Sequence, residues 1–462
     1  MLMAKAKLCR VLLSLLGLFV IGVGGVRGQE RETLPNHFPY PKALKPQVEF
    51  WKKIFTVYSR YQVVIHDSET MTIYRVLDFR RLRDDPELDD ETISQIRQDQ
   101  TKLEVEQIRN TLIKLQGCVD GVESCDDLDP EEKKLWIIFK KNKDIDRFRV
   151  AASDDRLRTQ TGVRERFREG VQVSRRYMKA MEDIFRREGL PVELTRLPLI
   201  ESSFNLGATS KVGAAGIWQF MPSTGRIYAM RINNHIDERR DPLIATEAAA
   251  RFLRANYERL GSWPLAITAY NHGPGGMANA VSTVGSNDIA DIIRLYRGRA
   301  FGFASRNFYP EFLAAIQIEK DHKKHFGPME MEDPVSYDEV LLESPLVFAT
   351  AANLAGAEIE ELRSLNPALG SSIREGSAPI PGGYQLRIPP GTYTTFVERL
   401  SVWREEERAR IVAAEKARKE RIDAARRARA ERQAALRKAR AERREIKAKR
   451  GNSRSSTVRR RK

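Results

Sequence analysis

The sequence predicts a mainly α protein. Three observations carry that reading. Apolar residues recur three and four positions apart through most of the longer segments, the spacing of one helix face. Runs rich in β-branched and aromatic residues are few and short, at 61–67, 71–79 and 384–391. The last sixty residues are dominated by Ala, Arg, Lys and Glu, all good helix formers. With 462 residues the chain has room for two to three domains.

The order opens with an export signal at 1–28. Lys5, Lys7 and Arg10 precede the apolar run Val11 to Val23, and Val26-Arg27-Gly28 offers small residues for cleavage. The run is short for a membrane span, so a retained anchor is the lesser alternative. Cys9 lies ahead of the apolar run, where it is badly placed for a lipid anchor. Residues 40–160 form a helical region with a hairpin. VEFWKKIFTVYSR (48–60) is an amphipathic helix, and YQVVIHD and MTIYRVLDF are the two strands. Ile93, Ile96, Leu103, Ile108, Leu112 and Leu115 then follow a helical pattern. Cys118 and Cys125 flank the polar turn VDGVES, and in an oxidising compartment they are expected to form a small-loop disulfide. Two thiols without a nearby histidine do not suit a metal. His322 and His325, beside lysines in DHKKH, read as a solvated helix end. No metal and no cofactor is expected.

A helix carrying Phe167, Val171, Met178, Met181 and Phe185 ends at Gly189 and leads into PVELTRLPLIESSFNLGATSKVGAAGIWQFM (191–221). Leu194, Leu197 and Glu201 stand three and four residues apart, so on a helix the acid shares the core-facing stripe. A carboxyl against Leu and Ile loses hydration, which raises its pKa and keeps a proton available to a leaving oxygen. Three further motifs follow ESSFN: SKVGAAGIWQFMPSTGR (210–226), WPLAITAYNHGPGG (263–276) and RNFYPEFLAA (306–315). Between the first two of these lies DERRD (237–241), where Asp237, Glu238 and Asp241 read as local ion pairing, with Asp241 before Pro242 as an N-cap.

ES, GxxQ and AYN in this order, with a glycine after the last, resemble the lytic transglycosylase family. That family is soluble-lytic-transglycosylase-like and goose-lysozyme-like, and the likeness is strongest to its membrane-bound lytic murein transglycosylase D branch. The resemblance covers about 160–320 and implies a lysozyme-like helical catalytic domain at 161–328. It implies Glu201 as the single catalytic acid/base. Ser202 would position the carboxyl or a sugar N-acetyl group, Gln219 would bond the glycan through its amide, and Tyr270 and Asn271 would line the cleft. Two departures stand out. GIWQ replaces the usual GLMQ, putting Trp218 in the loop, and His272 replaces a small residue after AYN. The family's late tyrosine aligns with Phe308, one residue before Tyr309. Either the backbone shifts to present Tyr309 as a substrate contact, or the hydroxyl is absent. The implied reaction is cleavage of the β-1,4 bond between N-acetylmuramic acid and N-acetylglucosamine in peptidoglycan, with a 1,6-anhydro end formed without water. The alternatives are a hydrolytic muramidase and a catalytically idle wall-binding scaffold.

Residues 335–392 resemble an incomplete LysM-type sugar-binding module. Two helical stretches, PLVFATAANLAG and EIEELRSLNPAL, precede the strand-like YQLRIPPG, while YDEVLLESP stands where an opening strand is expected. Residues 401–462 carry 24 Lys and Arg against 9 Asp and Glu, which is +15 of the chain's +16. Glu406–Arg410 and Glu415–Lys419 are helix-stabilising pairs four apart. Without a sustained apolar stripe this tail reads as a solvated helix or a partly disordered arm, ending at Gly451-Asn452. The expected partners are peptidoglycan glycan strands and, through the tail, an anionic membrane surface or cell-wall polymer. Nucleic acid is not expected for an exported, periplasmic protein.

Overall fold

The computed structural model describes residues 37–458, so the expected export signal lies outside the described residues. The protein is mainly α, as the spacing of its apolar residues predicts. Helix α1 (Lys45–Thr56) buries Val48, Phe50, Trp51, Ile54 and Phe55. Strands β1 (Gln62–Asp67) and β2 (Ile73–Asp78) form the antiparallel hairpin, with Val64 opposite Val76. A third strand, β3 (Leu157–Thr161), pairs with the other edge of β1, giving the order β2-β1-β3. Its sequence LRTQT has one apolar residue in five and no strand signal of its own. The pairing with β1 makes it a strand.

Between β2 and β3 lie α2 (Asp90–Asp120), α3 (Pro130–Ile138) and α4 (Arg147–Ala151). Asp89 caps α2 by accepting from the Thr92 amide at 2.7 Å, and Gly121 closes it in the left-handed region. Ile108, Leu112, Leu115, Leu135 and Phe148 make a small core with Ile65 and Tyr74 of the hairpin. Cys118 and Cys125 sit with Cα atoms 5.7 Å apart, inside the range a disulfide spans. The region 40–160 is therefore divided. Helix α1 belongs to the main core instead, where the Trp51 indole donates to Asn307 Oδ1 at 3.0 Å.

That core is built from α5 (Arg164–Arg187), α6 (Leu197–Glu201), α7 (Pro222–Ile227), α8 (Pro242–Leu260), α9 (Trp263–His272), α10 (Pro274–Val284), α11 (Ile289–Leu295) and α12 (Phe303–Lys320). Asp241 caps α8, accepting from the amides of Leu243 and Ile244 at 2.9 and 3.0 Å. The other DERRD acids are paired as expected, Glu238 with Arg231 and Asp237 with Arg239.

The C-terminal module runs β4 (Asp338–Leu342), α13 (Phe348–Ala355), α14 (Ile359–Leu365), a one-turn helix over Ser371–Arg374 and β5 (Tyr384–Ile388), with β4 and β5 antiparallel. The opening strand that YDEVLLESP lacks on a sequence reading is thus present as β4. Val340 and Leu342 face the module core while Glu339 and Leu341 face out, an alternation hidden by the two exposed positions. Helix α15 (Tyr393–Val458) begins inside this module, burying Phe396 and Leu400. It continues through Gly451-Asn452, which therefore does not end it. Neither residue is a proline, and a mid-helix glycine costs only about 1 kcal/mol.

The module is docked on the main helical core. Ile236, from the loop before α8, is 3 % exposed and belongs to the module's core. The Asp237 amide donates to Ala368 O at 2.8 Å, and the Gly370 amide to His235 O at 2.7 Å. Arg387 on β5 reaches back to Asp241 at 2.5 Å with its guanidinium over the Tyr337 ring.

Candidate active site

Helix α6 is one turn and a half long, preceded by a 3-10 turn over Val192–Arg196. Leu194 and Leu197 are fully buried, and Glu201 emerges half-buried at the helix end. Among the described residues its carboxyl has no hydrogen-bond or ion-pair partner in the protein. Loss of hydration alone pushes the Glu201 pKa up to about 8. An open cleft of about 750 Å³ reaches Glu201, Ser202 and Asn205 and is bordered by Arg60, Arg166 and Arg176.

The backbone after the acid is strained. Ser203 and Phe204 both have positive φ, 52° and 57°, and Gln219 across the site has 49°. Non-glycine residues rarely adopt this region, and they cost energy that the surroundings must offset. Two glycines make the geometry feasible. A Cβ on Gly170 of α5 would lie 2.3 Å from Ser203 O, and one on Gly216 would lie 1.8 Å from Arg239 O. The loop 208–220 is thereby pressed onto Arg239, whose guanidinium also donates to Gly213 O and Phe220 O at 2.7 and 2.9 Å.

Hydrogen bonds link the motif residues into one frame. The Ser202 hydroxyl donates to Ile217 O at 3.0 Å, tying the acid's segment to the loop. Tyr270, on α9, donates from its hydroxyl to Trp218 O at 2.9 Å. Its pKa is raised well above that of a free phenol, by burial first and by the Glu201 charge second. Asn271 is exposed, and its Oδ1 accepts from Ser305 of α12 at 3.0 Å. The Gln219 side-chain amide donates to Gly216 O at 2.8 Å, holding its own turn. Trp218 is fully buried, stacks on Phe185 at 6.0 Å between ring centroids, and donates to Thr246 Oγ1. It packs the core.

Tyr309 does not join this group. It is 0 % exposed and its hydroxyl donates to Pro39 O at 2.8 Å, on the side of the N-terminal segment. Residue 309 lies about 100° around the helix from 308. Regular α12 geometry keeps that offset, and Phe308, which stands at the aligned position, has no hydroxyl. Sequence reasoning passed over one acid near the site. Glu311 is half-buried, beside the buried Asn307, Phe308, Ala314 and Ala315 of α12, the helix that packs against α6. It has no hydrogen-bond or ion-pair partner among the described residues. Its pKa is raised well above the carboxylate range, by burial first and by the Glu201 charge second. The available signal was a lone acid within FYPEFLAAI, otherwise apolar on every side.

A short helix presents a carboxyl of raised pKa at a cleft, on a helical core pinned by the loop 208–220. Comparison with known proteins gives this arrangement its class. The family described as Transglycosylase SLT domain matches residues 181–293, which hold Glu201, Gln219, Tyr270 and Asn271. The chain therefore carries an SLT transglycosylase domain. Among curated proteins, it is 32% identical over 212 residues to "Membrane-bound lytic murein transglycosylase D" of Escherichia coli K12, covering 44% of this chain and 45% of that protein. It is 37% identical over 99 residues to a "Putative tributyltin chloride resistance protein" of Alteromonas, covering 21% of this chain and 48% of the other. The chain spans about half the length of the curated relatives it matches. Among solved structures, it is similar to an inactive mutant of lytic transglycosylase Slt from Pseudomonas aeruginosa. That likeness has a TM-score of 0.27 and 20% identity, over 34% of this chain and 25% of that one. A second is to the 70 kDa soluble lytic transglycosylase of Escherichia coli, with a TM-score of 0.26 and 14% identity, over 53% and 47%.

Proposed function

We propose that this protein is a peptidoglycan lytic transglycosylase. It cleaves the β-1,4 bond between N-acetylmuramic acid and N-acetylglucosamine and leaves a 1,6-anhydro end. The observation that carries the proposal is the unpartnered, half-buried Glu201 with its pKa near 8. One unit above pH 7 leaves about nine in ten such carboxyls protonated. Glu201 gives its proton to the bridging oxygen as positive charge develops at the sugar C1. The resulting carboxylate takes the proton of the muramic 6-hydroxyl, which closes on C1. The same residue is acid and then base.

Glu311 bears on the rival hydrolytic route. Enzymes that use water set a second, ionised carboxylate across the bond. Burial and, second, the Glu201 charge both raise the Glu311 pKa well above the usual carboxylate range, which disfavours the ionised form that activating water requires. This favours the one-carboxyl mechanism. Ser202 and Tyr270 serve the site by bonding the loop at Ile217 and Trp218, and the roles of Gln219 and Asn271 as glycan contacts rest on the family resemblance alone.

The rest of the chain suits this task. The protein works after export, with Cys118 and Cys125 oxidised to a disulfide. No described helix is long and apolar enough to cross a membrane. Residues 338–388 place two helices and a one-turn helix between two antiparallel strands, which is compatible with the LysM-type resemblance of the sequence, and on this reading the module serves as a glycan contact. Digestion of purified sacculi tests the reaction. Muropeptides lighter than hydrolytic products by one water support it, reducing ends support a muramidase, and no release supports a scaffold.

A further inference from the structure

Beyond Arg404, α15 leaves every other element behind. From Glu405 on its described residues are exposed, apart from the half-buried Glu407 and Asp423. At 1.5 Å per residue the stretch to Val458 reaches about 80 Å.

The charges on this arm are sided. At about 100° per residue, 14 of the 17 Lys and Arg between Arg404 and Lys447 fall on one half of the cylinder, with only Glu407 and Glu415 among them. The other half holds Lys416, Arg427 and Lys438 against seven carboxylates. One face thus carries +12 and the opposite face −4. Ile411, Ile422 and Leu436 lie close together near the middle of the cationic half, 51 %, 44 % and 55 % exposed. They are too far apart along the axis to form a coiled-coil seam.

We propose that this face lies flat on an anionic lipid bilayer, with Ile411, Ile422 and Leu436 set into the headgroup layer. A flat surface meets only one side of a helix, so carboxylates on the far side cost nothing. A flexible polyanion can wrap the whole cylinder and has no use for sidedness or for aliphatic side chains. Long Arg and Lys side chains reach sideways to phosphate while aliphatic residues between them enter the interface. The root of the arm is fixed, because Phe396 and Leu400 are buried in the module and the module is latched to Asp241 through Arg387. A seated arm therefore holds the cleft at a set orientation to the lipid. This inference does not depend on the catalytic reading.

Vesicle sedimentation of the full chain tests it. Binding is expected with phosphatidylglycerol present, is expected to fall with added salt, and is not expected with phosphatidylcholine alone. Two triple variants then remove equal charge from opposite faces. Arg408→Gln, Arg426→Gln and Arg440→Gln act on the cationic face, and Lys416→Gln, Arg427→Gln and Lys438→Gln on the other. Glutamine keeps helix propensity. The first set is expected to weaken vesicle binding at least tenfold more than the second. The triple change of Ile411, Ile422 and Leu436 to Ser should weaken binding in moderate salt with the charge unaltered. Equal losses from both charge sets, or no loss from the serine set, would overturn the proposal. So would a cationic-face set that impairs binding to lipid-free sacculi but not to vesicles.

Discussion

Glu201 owes its pKa to burial without compensation, and the sign of that shift fixes two expectations. On the proposed mechanism the protonated form is the acid, so activity should hold through neutral pH and fall as pH rises through about 8. A pH–rate profile on sacculi reads this directly, and a limb near 4.5 would contradict it. Stability follows the same direction. A carboxyl raised above its unfolded value contributes stability below pH 4.5 that is progressively lost up to about pH 8. Glu201→Gln should therefore abolish cutting yet raise the unfolding free energy at pH 9 by on the order of 2 kcal/mol relative to the native chain. Calorimetry at pH 5 and pH 9 would show the gain only at the higher value. Glu311 allows a sharper check. The Glu201 charge raises Glu311, while burial alone accounts for Glu201 itself. On the proposed mechanism Glu311 stays uncharged through turnover, so Glu311→Gln should leave the alkaline limb of the profile where it is. A limb displaced by that change would mean that Glu311 is ionised during turnover, reopening the hydrolytic route.

Among the elements, the loop 208–220 is the one on which the site's shape turns. Gly216 has φ +75° and no room for a Cβ against Arg239 O. Gly216→Ala should cost at least about 2 kcal/mol of stability and lower activity further, because Gln219 and the Ser202–Ile217 bond share that turn. A melting curve with normal Tm would reject the close contact. This element also marks what a sequence can reveal. The acid was legible because Leu194, Leu197 and Glu201 follow a local period, and the motif order named its partners. The strands β3 and β4 were not, since LRTQT and DEVLL become strands by pairing with residues nearly a hundred and almost fifty positions away. Tyr309 was misplaced for a similar reason. Its one-residue offset matters only once α12 is seen packing against the N-terminal segment. Glu311 was overlooked because its significance lies in a neighbour 110 residues earlier.

At the scale of the whole molecule, the C-terminal third splits into a part that holds the enzyme together and a part that does not. A module joined by a linker would contribute only binding, but this one shares its core with the domain that matches the SLT family. Ile236 sits among the module's buried residues, and the Arg387–Asp241 pair is 10% and 3% exposed in its side chains. Asp241 also caps α8, whose start adjoins the Arg239 that clamps the active-site loop. Removing one partner of a buried pair leaves an uncompensated charge and costs about 3–5 kcal/mol. Arg387→Met should therefore lower Tm by several degrees and reduce cutting even of short soluble glycan fragments, for which a tethered binding module is dispensable. A stop after Arg404 leaves the module's buried Phe396 and Leu400 in place. It should leave Tm and activity on those fragments unchanged, while losing whatever the arm contributes at a surface. If both changes spare soluble-substrate activity, the module is merely a docked accessory and the clamp from Arg387 through Asp241 to the loop carries no function.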